Sequence, residues 1–287
     1  MDDTGEDGPS AFVTGWPINH SRSPLIHGHW LKDYGLSGSY EKVATEPSAF
    51  VDFITHLNQS PFMGGNVTLP HKETTFQCAD ILTPTAKRLK AANTVWLQDG
   101  KLHADNTDGY GFLANLDQSA VGWDTPDRLD RPCLVLGAGG ASRAVVDALS
   151  NRGFSKIVLA NRTVARAETL LDEIAPLGTA ISLADTHEML GEAGVIVNTT
   201  SIGMDDTALP IGVDGIYPKA LVTDIVYTPL ITPFLRAAAA QHIETVDGLG
   251  MLLHQAVPGF ERWFGLRPNV DAKLRQLIVD DLEGARR

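Results

Sequence analysis

Short apolar runs alternate with stretches of helical spacing along almost the whole chain, the pattern of an α/β fold with a largely parallel sheet. AFVTG is a first short strand. Ser23 and Pro24 then supply an N-cap and a proline at the first helical position, and Leu25, Ile26, Trp30 and Leu31 continue at helical spacing. SYEKVA predicts a second strand, PSAFVDFITHL a helix and FMGGNVTL a third strand, with Val67 and Leu69 on one parity and Asn66 and Thr68 on the other. Thr83 with Pro84 opens another helix, and NTVWLQDGKLHAD predicts a hairpin turning at Asp99 and Gly100. From Leu116 to Arg131 no clean period survives, which reads as a boundary region. A second series starts at Pro132, with strands at CLVLG, KIVLA, VIVNT, LVTDIV and HIETV and helices to about Asn151 and from about Val164 to Ile174. Ala237 to Ala240 suit a helix interior. Helical patterns return from about Gly248 to the end.

The chain has 287 residues, enough for two domains with a core each. With 20% charged and 43% hydrophobic residues it has the profile of a soluble globular protein. A net charge of -12 disfavours nucleic acid or an anionic membrane as partner. No apolar run approaches the ~18 residues of a membrane span. The first residues, MDDTGEDGPS, are acidic and polar, unlike a secretory signal, and residues 1–10 read as a mobile tail. Two cysteines, Cys78 and Cys133, make no disulfide framework, which points to the cytoplasm. Cys133 reads as a small core hydrophobe in its strand.

Candidate chemistry begins with LVLGAGGASRAVVDAL, a strand, a glycine turn and a helix. Gly137 permits the turn, and Gly139 lets the backbone approach a pyrophosphate at the helix N-terminus. The third position of the G-x-G-x-x-G pattern is Ser142, so the fingerprint is imperfect, but the required strand and helix flank it. The next strand ends without the carboxylate that would bond a ribose 2′-hydroxyl. KIVLANRTVARAE offers Asn161, Arg162, Thr163 and then Arg166, which favours a 2′-phosphate and hence NADP(H). Nicotinamide chemistry needs a substrate centre and a proton carrier. Ser21 and Ser23 lie at a helix entrance, where hydroxyls and free backbone N–H groups make a carboxylate pocket as readily as a cap. GGNVTLPHKE finishes on Asn, Thr, His and Lys, either a solvated strand end or a functional loop. Asp108 starts a helix just after a strand, a place for a cap or for a catalytic group. The histidines show no zinc-like spacing, so no metal is assigned.

In order, GWPINHSRSPLIH, GGNVTLPHK, AANT, DNTDGYGF, VLGAGGASRAV, NRTVAR, NTTSIGM, DIVYTPLITPFL and DGLGMLLHQAVPGFERW resemble the shikimate dehydrogenase family, over residues 15 to 263. The resemblance implies NADPH-dependent reduction of 3-dehydroshikimate to shikimate, in aromatic amino-acid and chorismate biosynthesis. It also implies a two-domain α/β fold: a substrate domain of residues 1–107 completed by 248–287, a Rossmann domain of residues 108–247, and the substrate in the cleft. Carried over residue by residue, Ser21 and Ser23 would hold the substrate carboxylate. Thr68, Lys72, Asn93 and Asp108 would bind ring hydroxyls and the reacting centre, joined by Tyr227 and Gln255, with Lys72 and Asp108 as the catalytic pair. Gly137, Ala138, Gly139, Gly140 and Ala141, the segment with Asn161, Arg162, Thr163 and Arg166, then Ile225 and Gly248, would hold NADP. A lysine carries its proton at neutral pH, which suits donation to an alkoxide during reduction; in oxidation it must accept one, which favours alkaline pH. Whether Lys72 transfers the proton or stabilises charge stays open. Gly28 departs from the larger polar residue of many relatives, with no functional consequence expected. The Ser-x-Ser pair fits the shikimate branch better than quinate-preferring relatives. A quinate/shikimate dehydrogenase with dual cofactor use and a non-catalytic ligand sensor are the competing readings; the latter would have lost the lysine, the aspartate or the glycine loop. A homodimer is compatible with the chain.

Overall fold

The computed structural model describes residues 8–284 except 205, 206, 208 and 210. Along the chain run β1 (Ser10–Gly15), α1 (Ser23–Asp33), β2 (Ser39–Ala44), α2 (Pro47–Thr55), β3 (Phe62–Val67), α3 (Lys72–Cys78), β4 (Ile81–Leu82), α4 (Pro84–Leu89), β5 (Thr94–Gln98) and β6 (Lys101–Asp105). Then come α5 (Asp108–Ser119), α6 (Pro126–Leu129), β7 (Cys133–Leu136), α7 (Gly140–Arg152), β8 (Ile157–Asn161), α8 (Val164–Ile174), β9 (Thr179–Ser182), β10 (Val195–Asn198), β11 (Leu221–Asp224), α9 (Pro233–Ala240) and β12 (Glu244–Val246). Three helices close the chain: α10 (Leu249–Gln255), α11 (Val257–Phe264) and α12 (Ala272–Gly284). The chain forms two compact units. The first holds the residues up to Thr107 together with those from Gln255 on, and the second runs from Asp108 to His254.

The first unit has a six-stranded sheet in the order β2-β1-β3-β5-β6-β4. β1 pairs in parallel with β2 and β3, whereas β5 runs antiparallel to both β3 and β6. The hairpin turns at Asp99 (φ 53) and Gly100 (φ 72), the two positive-φ positions that a tight two-residue turn requires. Thr83 caps α4 by accepting from the Ala86 N–H at 3.2 Å. The last two helices, α11 and α12, belong to this unit by contact. Trp263 on α11 is buried and donates its indole N–H to the Val95 carbonyl at 2.9 Å. A Cβ on Gly64 would stand 2.4 Å from that indole nitrogen and 2.2 Å from the Val95 carbonyl oxygen, so only glycine lets the tryptophan reach the strand. Arg22 pairs with Asp281 of α12 at 2.8 Å.

The second unit's sheet runs β12-β11-β10-β7-β8-β9, with every pair parallel. Numbered within the unit, that order is the doubly wound arrangement that binds dinucleotides where the strand order reverses, here between β7 and β10. Its central strands β7 and β10 are covered on both faces: Cys133, Leu134, Val135 and Leu136 are all fully buried, as the cysteine's place in its strand predicts.

Several expectations change. The aperiodic stretch from Leu116 to Arg131 lies inside the second unit, not at a boundary: α5 runs on to Ser119, and Trp123 packs on Phe154 with ring centroids 5.6 Å apart. Its irregular pattern comes from one buried aromatic among capping and ion-pairing residues. The strands β4 and β9 escape the hydrophobic pattern because one has two residues and the other is half-exposed. Of the stretch read as a tail, Ser10 opens β1, while residues 1–7 lie outside the described residues.

Candidate functional site

In the first unit the predicted residues gather at one end of the sheet. β1 and β3 end side by side, with Thr14 opposite Val67, and the loops that follow are tied by Thr68 N–H to the Thr14 carbonyl at 2.9 Å and Trp16 N–H to the Leu69 carbonyl at 3.1 Å. β5 is antiparallel, so its start lies at the same end: Asn66 pairs with Thr94, and Thr94 with Asp105. Ser21 and Ser23 after β1, Thr68 and Lys72 after β3, and Asn93 before β5 therefore share one rim.

Ser23 is not the helix cap. The cap position is Arg22, whose side chain makes no capping bond, and Ser23 is the first helical residue. The Ser21 hydroxyl does the capping instead. It accepts from the Ser23 N–H and donates to the Ser23 Oγ, both at 3.3 Å. A cap lying two residues before the helix is hard to read from sequence, because the rule looks for the residue immediately preceding it.

Behind this rim lies a buried polar layer that sequence reasoning missed. Asn66, only 6% exposed, donates from Nδ2 to the Asn93 carbonyl and to Thr94 Oγ1, both at 3.2 Å, while its Oδ1 accepts from the Tyr40 hydroxyl at 2.6 Å. The amide is anchored by an obligate acceptor, so its orientation is fixed. The Asn93 Oδ1 accepts from the Thr107 N–H at 2.8 Å and from the Thr94 hydroxyl at 3.0 Å. Thr107 also donates to the Gln255 carbonyl at 2.8 Å, which fixes the start of the returning chain. His71, just before Lys72, stacks on Phe50 at 4.0 Å and bonds the Thr45 carbonyl at 2.8 Å through Nε2. The lysine thus leaves a clamped loop end, and its carbonyl accepts from the Ala92 N–H at 2.9 Å. The polar residue at an inward parity of β3 was the available signal for Asn66.

His27, one turn along α1 from Ser23, is stacked on Tyr40 with ring centroids 3.9 Å apart, and neither ring nitrogen has a hydrogen-bond partner. Burial lowers its pKa to about 3; the Asn66 side chain opposes the shift but stays short of bonding geometry. His254, in the second unit, is lowered to about 4 by burial, against the charge of Asp117. An unfolded chain takes up protons on these rings below the ordinary value of 6.5, whereas the folded chain refuses them. Stability is therefore full above pH 6.5 and falls as the pH drops toward 3. For His27 the loss is about 2 kcal/mol between pH 6.5 and 5. His27→Phe should flatten this slope in denaturant titrations at pH 7 and pH 5. An unchanged slope would clear His27 of the effect.

In the second unit, Gly137 (φ 98) turns the chain off β7; a Cβ there would stand 2.8 Å from Thr200 Cγ2. Beyond it the direction in which a Cβ on Gly139 or Gly140 would project is open space, the clearance that a pyrophosphate against backbone N–H groups requires. Ser142, the imperfect third position, is fully buried. Its hydroxyl accepts from the Gly139 N–H at 2.8 Å and meets Thr199 Oγ1 at 3.0 Å, so the serine braces the turn from inside. Asn161 at the end of β8 accepts from the Ala138 N–H at 3.2 Å and donates to the Thr163 carbonyl at 2.9 Å. It joins the glycine turn to the loop that carries Arg162 and Thr163 and leads into α8 with Arg166, all three exposed. Among the described residues no ion pair engages Arg162 or Arg166. Open glycines, no carboxylate at the strand end and two uncommitted guanidiniums fit a dinucleotide with a 2′-phosphate.

Asp108 is the first residue of α5 and half-buried; Tyr227 and Ile225 follow β11. Gly248 packs so closely that a Cβ would meet the Ile225 carbonyl at 2.5 Å. Among the described residues no cluster of His, Cys, Asp or Glu could hold a metal, and no helix is long and apolar enough to cross a membrane.

Comparison with known proteins follows the same layout. Residues 13–95 match the shikimate dehydrogenase substrate binding domain, residues 124–204 the shikimate / quinate 5-dehydrogenase family and residues 248–277 the shikimate 5′-dehydrogenase C-terminal domain. A shikimate dehydrogenase (NADP(+)) of Rhizobium meliloti is 54% identical over 276 residues, which is 95% of each chain. That of Brucella abortus is 51% identical over 282 residues, 97% of this chain and 96% of the relative. The structure of shikimate 5-dehydrogenase from Thermus thermophilus in complex with NADP(H) and shikimate superposes with a TM-score of 0.83 at 36% identity, covering 95% of this chain and 99% of the other.

Proposed function

The chain belongs to the shikimate dehydrogenase family, and on that premise we propose that it interconverts 3-dehydroshikimate and shikimate with NADP(H) through the residues described above. The observation that carries the cofactor choice is the end of β8, which has no carboxylate and is followed by exposed Arg162 and, at the start of α8, exposed Arg166. Gly137 to Ala141 would receive the pyrophosphate, Asn161 to Arg166 the adenosine end, and Ile225 and Gly248 the nicotinamide end. When bound, NADPH supplies the hydride that the substrate's carbonyl carbon takes up. The carbonyl oxygen then needs a proton, and Lys72 meets the charge growing there. Asp108 works with Lys72, while Thr68, Asn93, Tyr227 and Gln255 hold the ring. Cytoplasmic residence fits the two free cysteines, Cys78 and Cys133, and the net charge of -12 disfavours nucleic acid as a partner. The test is absorbance at 340 nm with shikimate or quinate, each with NADP+ or NAD+. Turnover should be fastest with shikimate and NADP+; equal turnover of quinate would favour the dual-specificity reading.

Ser21 and Ser23 are the carboxylate pocket in this reading. Replacing either with alanine leaves part of a desolvated carboxylate unpaired, so shikimate KM should rise on the order of 10-fold with NADP+ KM unchanged. Because Ser21 supplies the cap, Ser21→Ala should also lower the melting temperature, and Ser23→Ala should not. An unchanged shikimate KM in both variants would remove the pocket from the scheme.

A further inference from the structure

At the end of β11 the chain buries a carboxylate completely: Asp224 is 0% exposed. Its Oδ1 accepts from Asn198 Nδ2 and from the Val226 N–H, both at 2.9 Å, and its Oδ2 accepts from the Thr232 hydroxyl at 2.8 Å. Asn198, fully buried at the end of β10, binds the neighbouring loop as well. It donates to the Ile202 carbonyl at 3.2 Å and accepts from the Thr200 N–H at 3.0 Å and hydroxyl at 2.8 Å. Thr232 is the cap of α9, accepting from the Leu235 N–H at 3.3 Å. One carboxylate thus pins both ends of the Ile225–Thr232 segment, the segment that carries Ile225 and Tyr227.

We propose that Asp224 is a positioning residue: it holds the Ile225–Thr232 segment so that Tyr227 is presented to the substrate. The inference rests on the reading of Tyr227 as a substrate contact. Burying a charge is costly, and burial does raise this carboxyl's pKa against the pull of its three donors. All three contacts donate to it, so the site is built for the ionised acceptor. A neutral apolar residue would fill the same space and leave the Val226 N–H and one hydrogen of the Asn198 amide unpaired. The segment would lose its anchor at both ends while the glycine turn, braced separately through Ser142 and Thr199, would keep its own.

The test compares Asp224→Ala, Asp224→Asn, Tyr227→Ala and the double variant Asp224→Ala with Tyr227→Ala. Asp224→Ala should lower kcat/KM for shikimate about 10-fold or more, on the scale of one buried donor left unpaired. Binding of adenosine 2′,5′-bisphosphate, which reads the adenosine end alone, should stay within about two-fold of the parent. The double variant should be little worse than the worse single. Asp224→Asn should recover most of the loss, its carbonyl facing the two N–H donors and its amide facing a Thr232 hydroxyl turned to accept. Multiplying effects in the double variant, or equal weakening of the bisphosphate, would overturn the proposal. So would wild-type kinetics for Asp224→Ala beside an impaired Tyr227→Ala. Wild-type kinetics for Tyr227→Ala would instead overturn the reading of Tyr227, and the proposal with it. If Asp224→Ala fails to fold, Thr232→Val should lower kcat/KM where Thr232→Ser does not; equal kinetics in that pair would reject the clamp.

Discussion

Lys72→Ala should lower kcat for shikimate oxidation by at least ~100-fold, the scale of one general acid–base contribution. The lysine opens α3 from a loop clamped by His71 and by the Thr68 tie to β1, so its loss removes a charged group and leaves the scaffold intact. Shikimate KM should change far less, because a contact made mainly in the transition state lowers kcat and kcat/KM together. Asp108→Asn should be impaired to a similar degree, and the double variant should be little worse than the worse single, since residues acting as one unit are not additive. A Lys72→Ala enzyme with near-normal kcat and only a raised KM would reduce the segment to a binding loop. The proton carrier would then have to be sought first at Asp108 or Tyr227.

Arg162→Ala should raise the KM for NADP+ roughly 10- to 100-fold, the span of one or two charge-assisted hydrogen bonds to a phosphate. NAD+ use should stay almost unchanged because no 2′-phosphate is present to miss the guanidinium. The arginine is exposed, so its attraction is screened. NADP+ KM should rise with ionic strength in the parent and rise less in the variant. Equal weakening of both cofactors would make Arg162 structural and remove the main support for the cofactor choice.

Local signals carried most of what was legible in the sequence. Gly137 is conspicuous because a turn at positive φ admits little else, and the hairpin at Asp99 and Gly100 announces itself by two residues suited to positive φ. What stayed hidden are side chains whose partners are distant in sequence. Asn66 reads as one polar residue in a strand until β2 brings Tyr40 to it and β5 brings Asn93. Asn198, Asp224 and Thr232 look like ordinary strand-end and turn residues, since the ladder pairing β10 with β11 makes them one group. The misread cap at Ser23 has the same origin on a smaller scale: the hydroxyl that satisfies the helix comes from two residues back.

The glycine at position 64 has a bearing on how the protein is made. The slot it leaves is filled by Trp263, whose indole bonds Val95 across 168 residues of chain. At roughly 5–20 residues per second of synthesis, β5 waits about 8 to 34 s for the tryptophan that covers it, and β3, made earlier, waits longer. The second unit is contiguous and meets no such delay. During translation the part begun first is therefore finished last, with the middle of the chain able to fold ahead of the strands that precede it. A nascent chain arrested with Trp263 still in the ribosome should show a protease-resistant second unit and a protease-sensitive first one.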